Sequence, residues 1–176
     1  MKKRRDRNGF TLVETLVCVL IIALLSAVTL TGIRTAWSTH ENALFESESE
    51  ILASTLNTAI GDILHYSNYE QVDGQGTEQI VYITNQNYGI LRGTLMQKNG
   101  KLYVKVGRNA SASEVPLVND GAYTNITVSD FSMEYRNWEG GDNAFHGSYT
   151  LNGRGGQTKQ ITFAFRPVNP DSENDM

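Results

Sequence analysis

Residues 10–33 read FTLVETLVCVLIIALLSAVTLTGI, and Glu14 is the one side chain among them that is charged at neutral pH. As an α-helix, this stretch would extend about 36 Å, compared with roughly 30 Å for the hydrocarbon core of a bilayer. The stretch therefore predicts a helix that is long and apolar enough to cross a membrane.

The charged residues differ on the two sides of this apolar stretch. Residues 1–9 hold five basic side chains and one acidic side chain, whereas the rest of the chain holds ten basic and eighteen acidic side chains. The positive-inside rule places residues 1–9 in the cytoplasm and the body outside. Because an acidic body repels phosphate groups, we expect no general nucleic-acid binding by the body.

Glu14 is unusual in such a segment. A carboxylate near the centre of a spanning helix costs about 2.5–3.5 kcal/mol, and less near an edge. Glu14 lies only about 6 Å into the apolar run by helix rise. An ionisable residue inside a membrane segment indicates a function, and its partner should be identified.

Three other interpretations of the segment stay open. A secretory signal peptide would fit the basic start and a cleavage site near Ser26 or Ala27, although its apolar region is normally shorter and uncharged. A lipoprotein signal would use Cys18, but Val17 occupies the position where a small residue is required. A plain signal anchor explains everything except Glu14 and the residues around Gly9.

The sequence GFTLVE at residues 9–14, between a short basic leader and a long apolar run, resembles the class III signal of type IV prepilins and pseudopilins. The resemblance covers roughly residues 2–35. It implies that a prepilin peptidase cuts after Gly9, that the new amine of Phe10 is methylated, and that Glu14 takes part in subunit assembly. Glu14 would pair with the Phe10 amine of a neighbouring subunit, or with that of its own chain.

The same resemblance implies a structural subunit of a type IV pilus, or of a related pseudopilus in secretion or DNA uptake. Its partners would be prepilin peptidase, other pilin or pseudopilin subunits, the inner assembly platform and, before assembly, the membrane. The chain would first span the cytoplasmic membrane once and then join a filament at the cell surface.

Cys18 is the single cysteine, so the chain lacks the cysteine pair that many major pilins carry near the C-terminus. This favours a minor pilin, a pseudopilin or a pilin of a Gram-positive bacterium. The alternative function is a membrane-anchored extracytoplasmic binding or adhesion domain that does not polymerise.

The rest of the chain predicts an α+β fold, in which the long helix packs on a C-terminal antiparallel β-sheet. Helical spacing continues to about Tyr66, with apolar positions that include Leu44, Ile51 and Leu56. We expect a cleaved leader at 1–9, a transmembrane and assembly helix at 10–33, an amphipathic helix at 34–66, a sheet domain at 67–166 and a polar tail at 167–176. Polar residues 67–77 predict the loop between helix and sheet.

Within the sheet domain, Asn99-Gly100 between two runs of β-forming residues predicts a type I′ hairpin. A change in the phase of apolar residues predicts a β-bulge near Ser129-Asp130.

No catalytic, cofactor-binding or metal-binding motif stands out in the body. His40-Glu41 begins like a zinc-binding helix, but Leu44 occupies the position of the second histidine. The loop at 139–143 offers oxygen atoms, which leaves calcium binding open. We therefore expect no enzyme activity, no cofactor and no metal site.

Overall fold

The computed structural model describes residues 11–73, 80–85, 90–106, 113–136 and 144–168. Helix α1 runs without interruption from Leu12 to His65, which confirms the predicted long helix. Phe10, the expected first helical residue, lies outside the described residues. Internal contacts divide the chain into two compact units, residues 1–43 and residues 44–176.

Eight strands follow α1 within the described ranges: β1 (Ser67–Asp73), β2 (Ile80–Asn85), β3 (Ile90–Lys98), β4 (Lys101–Val106), β5 (Glu114–Pro116), β6 (Ile126–Arg136), β7 (Ala144–Gly153) and β8 (Thr158–Phe165). A short 3-10 helix, Asp120–Tyr123, separates β5 from β6. All described strand pairs are antiparallel. The α+β class predicted from the sequence is confirmed.

Two details of the predicted layout are wrong. The described strands form two sheets instead of one, a five-stranded sheet in the order β1-β2-β3-β4-β5 and a three-stranded sheet in the order β6-β7-β8. Alternation of apolar residues shows that a strand has a buried face, but it does not identify the neighbouring strand. The expected loop at residues 67–77 instead begins with edge strand β1, because backbone pairing with β2 does not require apolar side chains.

The β3–β4 turn has the predicted type I′ character. Asn99 and Gly100 have φ values of 51° and 73°, and a type I′ turn requires φ > 0 at both central residues. The Gly100 carbonyl accepts a hydrogen bond from Val128 N at 2.8 Å. The hairpin turn of the first sheet is therefore bonded to β6 of the second.

The predicted bulge is also present in β6. The register shifts between Ser129 and Ser132, and Asp130 has a φ of 53°. Phe131 N donates a 2.9 Å hydrogen bond to Oε1 of Gln97, a buried side chain on β3. Because a buried N–H without a partner is costly, Gln97 stabilises the bulge while it joins the two sheets.

The core of the 44–176 unit packs one face of α1 against both sheets. Leu52, Leu56, Ile60 and Leu64 are buried on the helix. The sheets contribute large buried side chains that include Leu95, Leu102, Phe131, Phe145, Tyr149 and Leu151. Burial raises the pKa of Tyr149, whose hydroxyl donates to Asn57 Oδ1 at 3.0 Å.

The buried stripe of the helix is narrower than the sequence indicated. Leu44 and Ile51, which we grouped with the core-facing positions, are 48% and 67% exposed. A helix turns about 100° per residue, so adjacent residues such as Ile51 and Leu52 cannot both point at the centre of one interface. The sheets cover the Leu52 side of the helix.

Polar contacts flank this stripe. Lys159 on β8 forms an ion pair with Glu46, and it lies 3.7 Å from Oε1 of Glu50. The Glu46 carboxylate raises the pKa of Lys159. On another part of the body, Asn125 Nδ2 donates to Glu48 Oε1 at 3.1 Å. These contacts tether the acidic side of the helix to the body.

We predict that Gly147→Ala destabilises the body by about 1–3 kcal/mol, the usual cost of overpacking. A Cβ atom at Gly147 would lie 2.3 Å from Phe163 Cζ and 2.6 Å from the Ser132 carbonyl oxygen. Thermal unfolding of the detergent-solubilised chain, followed by near-UV circular dichroism, measures the effect. Gly121→Ala is the matched control, because its nearest contact would be an ordinary 3.5 Å. Equal melting temperatures for the two variants would contradict the prediction.

Candidate assembly site at the helix N-terminus

The first half of α1 has an uncovered apolar surface. Every Leu, Ile and Val side chain from Leu12 to Ile33 is exposed, with Leu12 at 82% and Val17, the least exposed, at 45%. The helix is long and apolar enough to cross a membrane, with a mean hydropathy of 2.7 over its most apolar window. Removing such a surface from water is strongly favourable, so lipid or other apolar helices are its natural surroundings.

Hydroxyl groups within this apolar segment are satisfied by the helix itself. Each of four donates to a backbone carbonyl three or four residues earlier, at 2.7–2.8 Å: Thr15 to Leu12, Ser26 to Ile22, Thr29 to Leu25 and Thr31 to Val28. A polar group without a partner in hydrocarbon costs several kcal/mol. These side chains therefore avoid that cost without any partner from another chain.

Glu14 closes a capping box with Thr11. Thr11 N and Thr11 Oγ1 donate to Glu14 Oε2 at 3.1 and 3.2 Å, and Glu14 N donates to Thr11 Oγ1 at 3.3 Å. Thr15 N donates to the Thr11 carbonyl at 3.2 Å, so Thr11 is the N-cap residue and Glu14 is the third helical residue. This reciprocal arrangement satisfies two backbone N–H groups that a helix N-terminus otherwise leaves without partners.

The capping box changes the expected state of Glu14. From the sequence we expected Glu14 to pair with a Phe10 amine, but two donors from Thr11 already solvate Oε2. The positive end of the helix dipole also favours an anion in the first turn. An ionised carboxylate has about four acceptor positions, so these two bonds leave capacity for a further donor.

The sequence carries a signal for this motif. Thr11 followed three residues later by Glu14, directly before an apolar run, is a sequence signature of a capping box. Of the three site residues from the sequence, Glu14 is described and exposed on the first turn of α1. Gly9 and Phe10 lie outside the described residues.

The boundary of the apolar segment carries an aromatic side chain. Trp37 is 67% exposed, and its Nε1 donates to Glu41 Oε1 at 2.9 Å, one helical turn further on. An indole with one apolar face and one hydrogen-bonded N–H suits the interface between hydrocarbon and water. Trp37 thus occupies the position at which an anchored helix would leave the membrane.

Within the described ranges, the structure shows neither a cluster of metal ligands nor a disulfide bond. Those residues contain no group of three or more His, Cys, Asp or Glu side chains that could hold a metal ion. Cys18 is exposed on the apolar helix with a free thiol. The 139–143 loop, considered above for calcium, lies outside the described residues.

Comparison with known proteins identifies the N-terminal segment. The family model of the prokaryotic N-terminal methylation motif matches residues 4–30. This motif is the class III signal of type IV pilins and pseudopilins, a structural class of proteins. Neither the curated proteins nor the solved structures gave a match.

We predict that Thr11→Val frays the first turn of α1, since it removes the hydroxyl that both donates to and accepts from Glu14. Loss of an N-cap costs about 1 kcal/mol, so exchange of the Glu14 amide hydrogen should accelerate about fivefold. Hydrogen exchange by NMR in detergent micelles measures this rate. Thr15→Val is the control, because the Thr15 hydroxyl bonds only the helix interior through Leu12 O. Unchanged exchange at Glu14 in Thr11→Val would show that the capping box does not hold.

Proposed function

We propose that this chain, which carries the class III signal of type IV prepilins, is a structural subunit of a type IV pilus or a related pseudopilus. The observation that carries the proposal is Glu14, one carboxylate held in a capping box at the start of an uncovered apolar helix. Gln at this position could close a capping box equally well, whereas an assembling subunit also uses the charge of Glu14. The motif itself implies processing by prepilin peptidase and assembly with other subunits.

Processing, in this proposal, begins with residues 1–9. Their five basic side chains hold the start of the chain in the cytoplasm. Cleavage after Gly9 removes those charges and leaves a single ammonium on Phe10, which methylation preserves. The helix can then leave the bilayer without carrying five basic side chains through hydrocarbon.

Assembly then depends on the meeting of Glu14 with an ammonium group. Two opposite charges attract strongly where the dielectric constant is low, and each is costly there without a partner. Phe10 directly precedes Thr11, the residue whose N–H and hydroxyl already bond Glu14 Oε2. The capping box thus holds the carboxylate beside the backbone that carries the amine. Pairing with a neighbour's Phe10 amine fixes the axial register of the subunits, and pairing within one chain is the competing arrangement.

The exposed apolar surface supplies the remaining affinity between subunits. Neighbouring helices that cover Leu12–Ile33 replace lipid contacts with protein contacts, and they do so without any unsatisfied hydroxyl at the interface. Before assembly the same surface holds the subunit in the cytoplasmic membrane, with the body outside. The proposed partners are prepilin peptidase, other subunits and the inner assembly platform.

The proposal also covers the subtype of the subunit and the division of the chain into segments. We infer a minor pilin or pseudopilin because Cys18 is the single cysteine, which leaves the C-terminal part without a disulfide. The proposed division is a cleaved leader at 1–9, an assembly helix at 10–33, an amphipathic helix at 34–66, a sheet domain at 67–166 and a tail at 167–176. No catalytic role is part of this proposal.

We predict that replacing Gly9 with Leu blocks cleavage, because a bulky side chain would occupy the position at which the peptidase accepts glycine. The variant should accumulate as a full-length, leader-bearing membrane protein, visible as a heavier band in a gel. N-terminal sequencing of the wild-type protein should give methyl-phenylalanine from Phe10. An intact leader on wild-type protein, in cells that contain the peptidase, would favour the non-polymerising anchor instead.

We predict that Glu14→Leu is cleaved normally but enters filaments at least about tenfold less than wild type, which corresponds to about 1.4 kcal/mol. Sheared filaments and membrane fractions, quantified by immunoblot, give the ratio. Val13→Ile is the control for a change in the adjacent apolar side chain.

Glu14→Gln separates the two roles of Glu14. Glutamine can close a capping box but carries no charge. If the charge pairs with an ammonium, Glu14→Gln fails to assemble as Glu14→Leu does. If Glu14→Gln assembles normally while Glu14→Leu does not, the cap alone matters and the electrostatic role is wrong.

A further inference from the structure

Strand β8 is an edge strand among the described strands, because it pairs with β7 on one side only. The 2.8 Å hydrogen bond from Gly153 N to the Gln157 carbonyl fixes which residues of β8 bond to β7. Hydrogen-bonded and non-hydrogen-bonded pairs alternate along an antiparallel ladder. The N–H and C=O groups of four exposed residues therefore point away from β7: Thr158, Gln160, Thr162 and Ala164.

These outward backbone groups are uncovered within the described part of the chain. No backbone hydrogen bond from a described residue outside β8 reaches any of the four residues. After β8 the chain turns to the end of α1, where Val168 N donates to the His65 carbonyl at 2.7 Å. A row of unpaired N–H and C=O groups is a template for pairing with another strand.

The other edges of the two sheets are protected, whereas the β8 edge is not. Short length, charge, proline and bulges are the usual protections. Strand β5 has three residues, which include Glu114 and Pro116, and β1 has a bulge between Tyr69 and Gln71. Strand β6 bonds residues of the first sheet. In β8, residues 160–165 hold no charge and no proline, and the pairing with β7 has no register shift.

The β8 edge is complementary to a second copy of itself. One antiparallel register places Thr158 opposite Ala164 of the second copy and Gln160 opposite its Thr162. Two-fold symmetry repeats both pairs, so all four outward residues of each copy exchange hydrogen bonds. Ile161 then lies on the symmetry axis, opposite Ile161 of the second copy. Other symmetric registers leave an outward residue beyond the end of the partner strand.

The side chains of β8 tolerate this register. Lys159 is the charged residue of the strand, and its amine already pairs with Glu46. The register places Lys159 opposite Phe163 of the second copy, which avoids the destabilising meeting of two like charges. The β-branched side chain of Ile161 meets an identical side chain, a pairing that strands favour.

We propose that two copies of this chain pair through β8, antiparallel and with Ile161 opposite Ile161, so that two three-stranded sheets become one six-stranded sheet. This inference goes beyond the proposed function, because it concerns the body and depends on neither cleavage at Gly9 nor the charge of Glu14. Dimer formation by the full-length Glu14→Leu chain should therefore equal that of the wild type.

Disulfide trapping of the full chain in detergent micelles tests the register. Cys18→Ser removes the native thiol, and Ile161→Cys or the control Ala164→Cys is added. The Cα atoms of the two Ile161 residues would lie about 4.5 Å apart, within the reach of a disulfide. Those of the two Ala164 residues would lie about 20 Å apart along the strands. We expect at least about tenfold more linked dimer from Ile161→Cys.

A mixture of two single-cysteine chains tests the same register at a second point. Thr158→Cys and Ala164→Cys, each with Cys18→Ser, should form a linked heterodimer, because their Cα atoms would be about 5.5 Å apart. Neither chain should link efficiently to itself.

Thr162→Pro tests the backbone pairing directly. Proline removes an N–H that points away from β7, so it is compatible with an edge strand. Two-fold symmetry makes the loss two hydrogen bonds per dimer, and we expect at least about fivefold weaker dimerisation in analytical ultracentrifugation. Thr162→Val is the matched control, because it keeps the N–H, and it should dimerise as the wild type does. Near-UV circular dichroism checks folding, and if Thr162→Pro unfolds, the disulfide results alone decide.

Three results would overturn the proposal. The first is an equal yield of linked dimer from Ile161→Cys and Ala164→Cys. The second is unchanged dimerisation of a folded Thr162→Pro chain. The third is a wild-type chain that stays monomeric at every concentration tested.

Discussion

The rest of this protein depends on one constraint: each polar side chain in the apolar helix needs a hydrogen-bond partner within the helix itself. From Leu12 to Ile33 the apolar side chains are exposed, while the hydroxyls of Thr15, Ser26, Thr29 and Thr31 bond backbone carbonyls of the same helix. A segment built in this way is stable in hydrocarbon or among similar helices, and it is unstable in water. That surface fits a chain that is anchored in a membrane by a single span.

Glu14 is the exception to this apolar character, and the capping box explains how it is tolerated. The carboxylate accepts from Thr11 N and Thr11 Oγ1, and it lies at the positive end of the helix dipole. These interactions stabilise the charge before any partner arrives. They also keep it beside Thr11, which directly follows the proposed cleavage product's first residue in the sequence. One motif therefore serves both helix initiation and the proposed pairing of subunits.

The body is organised around contacts that join its two sheets. Gln97 on β3 accepts from Phe131 N at the β6 bulge, and the Gly100 carbonyl accepts from Val128 N. Both acceptors bond backbone donors of β6, one of them at the bulge. Leu52, Leu56, Ile60 and Leu64 then pack one face of the helix against this assembly.

Local chemistry by itself determined the long helix, the Asn99-Gly100 turn, the β6 bulge and the capping box of Thr11 and Glu14. Each depends on residues close together in the chain, where periodicity, φ preference and charge act directly. The tertiary structure alone decided that the strands divide into two sheets, that Ser67–Asp73 pair as an edge strand, and that Ile51 is exposed while Leu52 is buried. It also brought Ser132, Ser148 and Thr162 into one row. Such features depend on which distant segments become neighbours, because backbone pairing is nearly indifferent to side chains and burial depends on what covers a residue.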